Sequence, residues 1–361
     1  MKRIEEIDRN FDRERIDPAG MCFYDVRQAP FTLYGLYRPR EEGAFRRMPE
    51  TTARAVSEGV YSLHTHTSGG RIRFATDSRR IILQCDMPQI SHMDHMPLTG
   101  SSCFDLYADG HFMGTFRMAL AEHGRVADHD GAEDGYAAAL SFKTPGMHDV
   151  VIHFPLYNGV SRVYIGLEET ARLEAGARYA IERPVVYYGS SITQGGCASH
   201  GGVSYQAILS RRLDCDYINL GFSGSCKGEV QMAEYLAGLE MSALVYDYDH
   251  NAPTPEHLAA THERAFRIIR DSQPELPIVL ISKVDGQLDE YTGARREIIR
   301  RTYQNARAAG DRNVYFIDGQ TAFAQVGAEN CTVDGTHPND LGFWCMANML
   351  EALLCRLLYR A

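Results

Sequence analysis

Pro184-Val185-Val186-Tyr187-Tyr188-Gly189-Ser190-Ser191-Ile192-Thr193-Gln194-Gly195 is the stretch at which the chain changes character: an apolar run feeds directly into a turn of small residues. Onward from Pro184, similar runs at Val185 to Ser190, Tyr217 to Phe222, Ala243 to Asp249, Ile278 to Ser282 and Val314 to Asp318 alternate with helical patterns near 203–213, 229–240, 256–271, 290–309 and 340–359. Strands that are apolar throughout belong to a sheet buried on both faces. Strand–helix alternation makes that sheet parallel, an α/β architecture.

Upstream the pattern is different. Short runs such as Arg71-Ile72-Arg73-Phe74, Ile81-Ile82-Leu83, Phe104-Asp105-Leu106-Tyr107, Val150 to Phe154 and Val163-Tyr164-Ile165 are separated by turns such as Ser68-Gly69-Gly70 and Ala108-Asp109-Gly110. This predicts an all-β sandwich. A length of 361 residues exceeds what one core supports. The expected division is therefore a β-sandwich domain over 1–175 and an α/β domain over 176–361, joined through the charged, alanine-rich stretch 168–183.

The hydrophobic share of 44% and charged share of 23% are those of a globular protein. A net charge of -10 argues against nucleic acid as partner, because binding the phosphate backbone needs a basic surface. The opening MKRIEEIDRNFDRERID is charged throughout, without the apolar centre of a signal peptide, and no run reads as a transmembrane segment. The nine scattered cysteines form no C-x-x-C pair. The expectation is a cytoplasmic protein with reduced thiols, no membrane contact, and either a monomer or a homodimer.

Ligands of an open parallel sheet bind beyond the carboxyl ends of its strands. Four polar segments fall there: Gly189-Ser190-Ser191, Asn219-Leu220-Gly221-Phe222-Ser223-Gly224, Asp249-His250-Asn251-Ala252-Pro253, and Asp334-Gly335-Thr336-His337-Pro338-Asn339-Asp340 before the last helix. Serine is a weak nucleophile that needs a base within hydrogen-bond reach, itself oriented by a third group. His337 can be that base for Ser191, and Asp334, three residues earlier in the same loop, can hold its second ring nitrogen. An oxyanion would need donors fixed in advance; the Ser191 and Gly224 amides and the Asn251 side chain are candidates. The blander alternatives are a tight βα turn or anion-binding turn at Ser191 and helix-capping roles for Asp334 and His337.

These blocks resemble the SGNH or GDSL hydrolases in order and spacing across 184–360. The resemblance places a nucleophile at Ser191, a backbone donor at Gly224, an amide donor at Asn251, and the Asp-x-x-His pair at Asp334 and His337. It implies a flavodoxin-like three-layer α/β/α domain. Two departures are plain: Ser190 stands where the family has aspartate, and the third block, which usually contains a glycine, here reads Asp249-His250-Asn251. Gly100-Ser101-Ser102-Cys103-Phe104-Asp105-Leu106-Tyr107 and Phe154-Pro155-Leu156-Tyr157-Asn158-Gly159 resemble the sandwich attached to carbohydrate-active members.

Other features have weaker claims. Asp249 and His250 could touch substrate or anchor their loop by hydrogen bonds. The run from Gly221 to Gly228 lacks the Gly-Lys-Ser/Thr of a P-loop. His64 and His66, with His92 and His95 in a Met-rich loop, could form a metal site, but they have no nearby cysteine and no clear carboxylate partner, and the expectation is no metal and no cofactor. Trp344 reads as core. The segment His92 to Ser102 is the candidate loop over the site. The resulting expectation is a serine esterase that removes O-acetyl groups from an acylated oligosaccharide, such as a xylan or mannan fragment. An acyltransferase using the same residues and a carbohydrate-binding protein with an inactive α/β half are the alternatives.

Overall fold

The computed structural model describes residues 7–8, 14, 16–90, 92–118, 134–284 and 290–359. Its N-terminal part contains β1 (Met21–Asp25), β2 (Thr32–Tyr34), α1 (Glu50–Val56), α2 (Glu58–Leu63), β3 (Arg71–Thr76), β4 (Arg80–Met87), α3 (Leu98–Ser101), β5 (Phe104–Ala108), β6 (His111–Phe116), β7 (Asp134–Ser141), β8 (His148–His153), β9 (Arg162–Glu168) and β10 (Leu173–Glu174). One antiparallel sheet runs β1-β9-β4-β7; the other runs β10-β3-β8-β5-β6, with β2 also on β3. Ile72, Phe74, Leu83, Phe104, Ile152 and Ile165 fill the space between them. β3 and β5 are buried almost along their whole length, on the face turned away from this core as well as on the one turned toward it.

The expected β-sandwich is present in the N-terminal half, with helices added to it. Helices α1 and α2, of 7 and 6 residues, interrupt it. Ser57 joins them: its side chain accepts a hydrogen bond from the Val60 N–H and so caps α2. Ala53, Val56 and Val60 are buried with Val186, Leu220, Phe222, Met232 and Leu236, on one face of the parallel sheet rather than in the sandwich. Helices of fewer than two turns carry too few positions for their period to be read. The stretch 168–183 is likewise more than a connector, since it holds β10 and the first residues of the next strand.

That strand is β11 (Ile181–Gly189). After it come α4 (Ser191–Gln194), α5 (Tyr205–Leu213), β12 (Cys215–Gly221), α6 (Val230–Ala237), β13 (Ala243–Asp247), α7 (Pro255–Ser272), β14 (Ile278–Ile281), α8 (Glu290–Ala308), β15 (Val314–Ile317), α9 (Ala328–Cys331) and α10 (Asp340–Leu358). The strands form a parallel sheet in the order β12-β11-β13-β14-β15. The five strands read from the sequence are all present, as is the flavodoxin-like order. Their polar ends, Ser190, Asp249 and Ser282 among them, lie just past the hydrogen-bonded ladder and begin the loops. The direction of winding reverses beside β11, so the crevice opens at the ends of β11, β12 and β13.

Helix α10 is long and apolar enough to cross a membrane by length and composition alone, a run not anticipated from the sequence. Yet Phe343, Met346, Ala347, Leu350, Leu354 and Leu357 are buried against the sheet, as in the core helix of a globular domain. Trp344 corrects a second expectation: it falls outside that inward stripe and is 48% exposed, with the Arg212 guanidinium over its ring. Two buried arginines tie the antiparallel and parallel parts together. Arg47 donates to the carbonyls of Asn219 and Gly221 on β12 and of Leu63 on α2. Arg71, on β3, pairs with Asp216 and donates to the Tyr217 carbonyl at 3.0 Å.

Candidate active site

The turn after β11 is forced upward by close backbone packing. A Cβ on Gly221 would lie 2.1 Å from the Gln194 nitrogen, and one on Gly189 would lie 2.0 Å from Thr193 Oγ1. Only glycine permits strand end and turn to approach so closely. The Ser190 hydroxyl, standing in the place of the family's aspartate, accepts from the Ile192 N–H at 3.2 Å and caps the single turn α4. Ser191 is then the first residue of that turn, 8% exposed.

The Ser191 hydroxyl lies 2.8 Å from His337 Nε2. His337 Nδ1 lies 2.7 Å from Asp334 Oδ2, while the backbone amides of His337 and Thr336 donate to Asp334 Oδ1 at 2.7 and 3.0 Å. Partial burial works to raise the Asp334 carboxyl, but these amide and imidazole donors outweigh it and bring it down to about 2. An ionised Asp334 fixes the proton of His337 on Nδ1 and leaves Nε2 as an acceptor facing the serine. Asp334 and His337, three positions apart, thus join Ser191, 146 positions from His337, in one hydrogen-bonded relay.

The donor candidates lie on the loops that follow β12 and β13. Gly224 has φ +66 and nothing within 4 Å of where a Cβ would sit, so its backbone conformation, rather than crowding, calls for glycine. Asn251 accepts from the Cys226 N–H at 3.3 Å through its carbonyl oxygen, a bond that does not use its amide donors. Asp249 is used inside the protein: its carboxylate accepts from the Lys283 amide at 2.8 Å and from Arg295 at 3.1 Å, and it is 1% exposed. Of its two readings, the structure fits the loop anchor. The ring of His250 is pushed down to about 3, by burial first and then by the charges of Lys283, His337 and Arg295, and is neutral at pH 7.

Gln194 was not singled out in the sequence, yet it orders the whole site. Its side-chain oxygen accepts from the Ser223 amide at 3.0 Å, which positions the loop bearing Gly224. Its side-chain nitrogen donates to the Leu156 carbonyl and to His66 Nδ1, each at 3.2 Å, and its own carbonyl accepts from Ser68 at 2.6 Å. Burial above all, then the charges of Arg47 and His64, pushes the His66 ring down to about 3, so it is a neutral acceptor. His66 therefore serves this network, and His64 is turned to the Tyr61 carbonyl; the two do not make the metal pair considered from sequence. Tyr157 donates to the Ser191 carbonyl at 3.2 Å, and Asp105 holds the 200–202 loop through His200 and the Gly202 amide at 2.7 and 2.9 Å. One motif of the N-terminal half thus contacts the serine turn and the other holds the loop that follows it. The His92–Ser102 segment reaches the site at His95, whose ring centroid lies 5.9 Å from that of His337.

Residues 182–355 match the model of the GDSL-like lipase/acylhydrolase family, and residues 21–173 match that of the N-terminus of SGNH-hydrolase-type esterases. The chain belongs to the SGNH/GDSL hydrolases. Its activity class is that of a carboxylic ester hydrolase. No curated protein matches the sequence. Among solved structures, a candidate GDSL-like lipase from Bacteroides ovatus is 26% identical over 94% of this chain and 98% of its own, with a TM-score of 0.81. A salicylyl-acyltransferase of a tetracycline biosynthetic pathway is 19% identical over 95% of this chain and 99% of its own, with a TM-score of 0.75. An acetyl xylan esterase from the rumen bacterium Butyrivibrio proteoclasticus is 13% identical over 93% and 98%, with a TM-score of 0.59. The last two share the fold.

Beneath the turn, Thr193 Oγ1 donates to Asp247 Oδ2 at 3.0 Å, while Asp247 Oδ1 is buried with no partner among the described residues. Burial chiefly, and then the charge of Asp249, pushes the Asp247 carboxyl up to about 8 against the Thr193 hydrogen bond. An unfolded aspartate titrates at 3.8, so between 3.8 and about 8 the folded chain holds a proton that the unfolded chain has released. Stability must fall as pH rises through that window. Asp247→Asn removes this dependence: thermal melts from pH 5 to 8.5 should show the wild type losing Tm relative to the variant, and parallel curves would contradict the assignment.

Proposed function

We propose that this hydrolase removes short acyl groups, acetyl foremost, from oligosaccharides through an acyl-serine intermediate. The observation that carries the chemistry is the Asp334–His337–Ser191 relay, with hydrogen bonds of 2.7 and 2.8 Å. Ser191 Oγ attacks the ester carbonyl carbon as its proton passes to His337 Nε2, and Asp334 balances the imidazolium that forms. The negative oxygen of the tetrahedral intermediate is held by the Ser191 and Gly224 amides and by the Asn251 side chain. Collapse expels the sugar hydroxyl with the proton from His337. Water, deprotonated by the same histidine, then releases the acid.

The carbohydrate reading is supported by the two-part layout shared with the acetyl xylan esterase and with family two carbohydrate esterases, one of which is a Clostridium thermocellum enzyme in complex with a cello-oligosaccharide. The nine free cysteines support a reducing compartment, where the substrate would be imported fragments rather than intact polymer. Acyl transfer is the second reading, favoured by the fold shared with the salicylyl-acyltransferase over 95% of this chain. The two share one intermediate and differ in whether water or an acceptor hydroxyl resolves it.

Removing one oxyanion donor costs roughly 10²–10³ in rate. Asn251→Ala should therefore lower kcat on a short-chain nitrophenyl ester by about that factor with little change in KM; an unchanged kcat would remove Asn251 from the oxyanion site. For the substrate, a panel of acetylated xylo- and manno-oligosaccharides read by mass spectrometry should lose acetyl groups one at a time. Net transfer to an added alcohol at low concentration would replace hydrolysis with acyl transfer, and no loss from any sugar would overturn the carbohydrate reading.

A further inference from the structure

Three metal-type donors converge at the mouth of the site from three separate segments. One ligand atom each from His95, Cys197 and His337 lies within 4.8 Å of the other two. His95 comes from the segment before α3, Cys197 from the loop after α4, and His337 from the loop before α10. Each histidine has a carboxylate at its Nδ1: Asp94 lies 3.2 Å from that of His95, and Asp334 lies 2.7 Å from that of His337. A carboxylate on one ring nitrogen is the arrangement that orients the other toward a metal and makes it more basic. Cys197 is a free thiol, 4% exposed, held at φ +75 in the tight bend that follows Gly195 and Gly196. An L-residue in the left-handed region is costly and signals a position fixed by its surroundings.

Two imidazoles and one thiol are a donor set for a borderline or soft cation; tetrahedral Zn²⁺ takes nitrogen at about 2.0–2.1 Å and sulfur at about 2.3 Å. Ligand atoms around such an ion stand roughly 3–4 Å apart, so closing on it asks for about 1 Å of movement. His95, whose side chain is 38% exposed, is the ligand with room to move. A fourth position stays open to water.

We propose that His95, Cys197 and His337 form a binding site for a thiophilic divalent cation such as Zn²⁺, and that its occupation switches the hydrolase off. The inhibitory consequence rests on the reading of His337 as general base; the binding does not. Binding forms one metal–sulfur bond and two metal–nitrogen bonds and releases the Cys197 proton to solvent. The lone pair of His337 that would take the Ser191 proton is then shared with the metal. The carboxylate that oriented the base now orients a metal ligand. Neither His64 nor His66 contributes, since both rings are held elsewhere.

The test uses the full-length protein freed of metal by chelation. Equilibrium dialysis with ⁶⁵Zn²⁺ should give one tight site per chain, and Cd²⁺ should give an ultraviolet thiolate-to-metal charge-transfer band. Cys197→Ser should abolish the band, and Cys197→Ser and His95→Ala should each weaken zinc binding at least tenfold. Ester hydrolysis by the wild type should be inhibited by zinc and restored by chelator, with the half-inhibitory concentration raised at least tenfold in both variants relative to each variant's own metal-free rate. Equal zinc affinity in wild type and both variants, or no charge-transfer band, would overturn the site. Tight binding at these residues without inhibition would leave the site standing and contradict the role of His337 as base.

Discussion

Close backbone contact between the Ser190–Gln194 turn and the end of β12 is the constraint on which the rest of this structure depends. With glycine at 189 and 221, strand and turn touch, and Gln194 is placed where its side chain can hold three other segments. One of these is the Ser223 loop that presents Gly224; another carries Leu156 and Tyr157 from the sandwich. Each such buried hydrogen bond contributes only about 1 kcal/mol net. Together they tie the turn to the segments around it, and the hydroxyl of its serine meets the histidine arriving from the C-terminal loop.

The antiparallel part is therefore more than an appendage. It supplies α1 and α2 to the core on one face of the parallel sheet, and Met96, Leu156 and Tyr157 to the core on the other. Arg47 and Arg71 reach across as buried cations that donate to backbone carbonyls of β12. Buried charges are tolerated only when so partnered, and loss of one partner leaves the other stranded at a cost of several kcal/mol. The site thus depends on both halves for its shape, although the reacting groups all come from the parallel half.

The legible parts of the sequence were those with local signatures. Five apolar strands, the serine turn and the Asp-x-x-His loop could be read because each is a short contiguous pattern whose chemistry needs that spacing. Asn251 was singled out from its place after a buried strand, and its oxyanion role is part of the proposal. Gln194, Tyr157 and Asp105 were not read as site supports, because their partners lie more than 25 positions away and one glutamine among many carries no mark of its contacts. A weak signal did exist: Gln194 lies one turn beyond the nucleophile, on a strand-to-helix turn that points into the crevice. Trp344 was misplaced because an apolar residue beside an apolar stripe looks like part of it; the helical phase excludes it. The metal-type cluster escaped because its three donors come from three loops.

The central claim is that Ser191 is the nucleophile activated by His337, and the most direct measurement is covalent labelling with a fluorophosphonate followed by intact-mass and peptide mapping. The account predicts one adduct per chain, at Ser191, absent in Ser191→Ala and slowed by orders of magnitude in His337→Ala. No adduct, or an adduct on another serine that persists in Ser191→Ala, would contradict it.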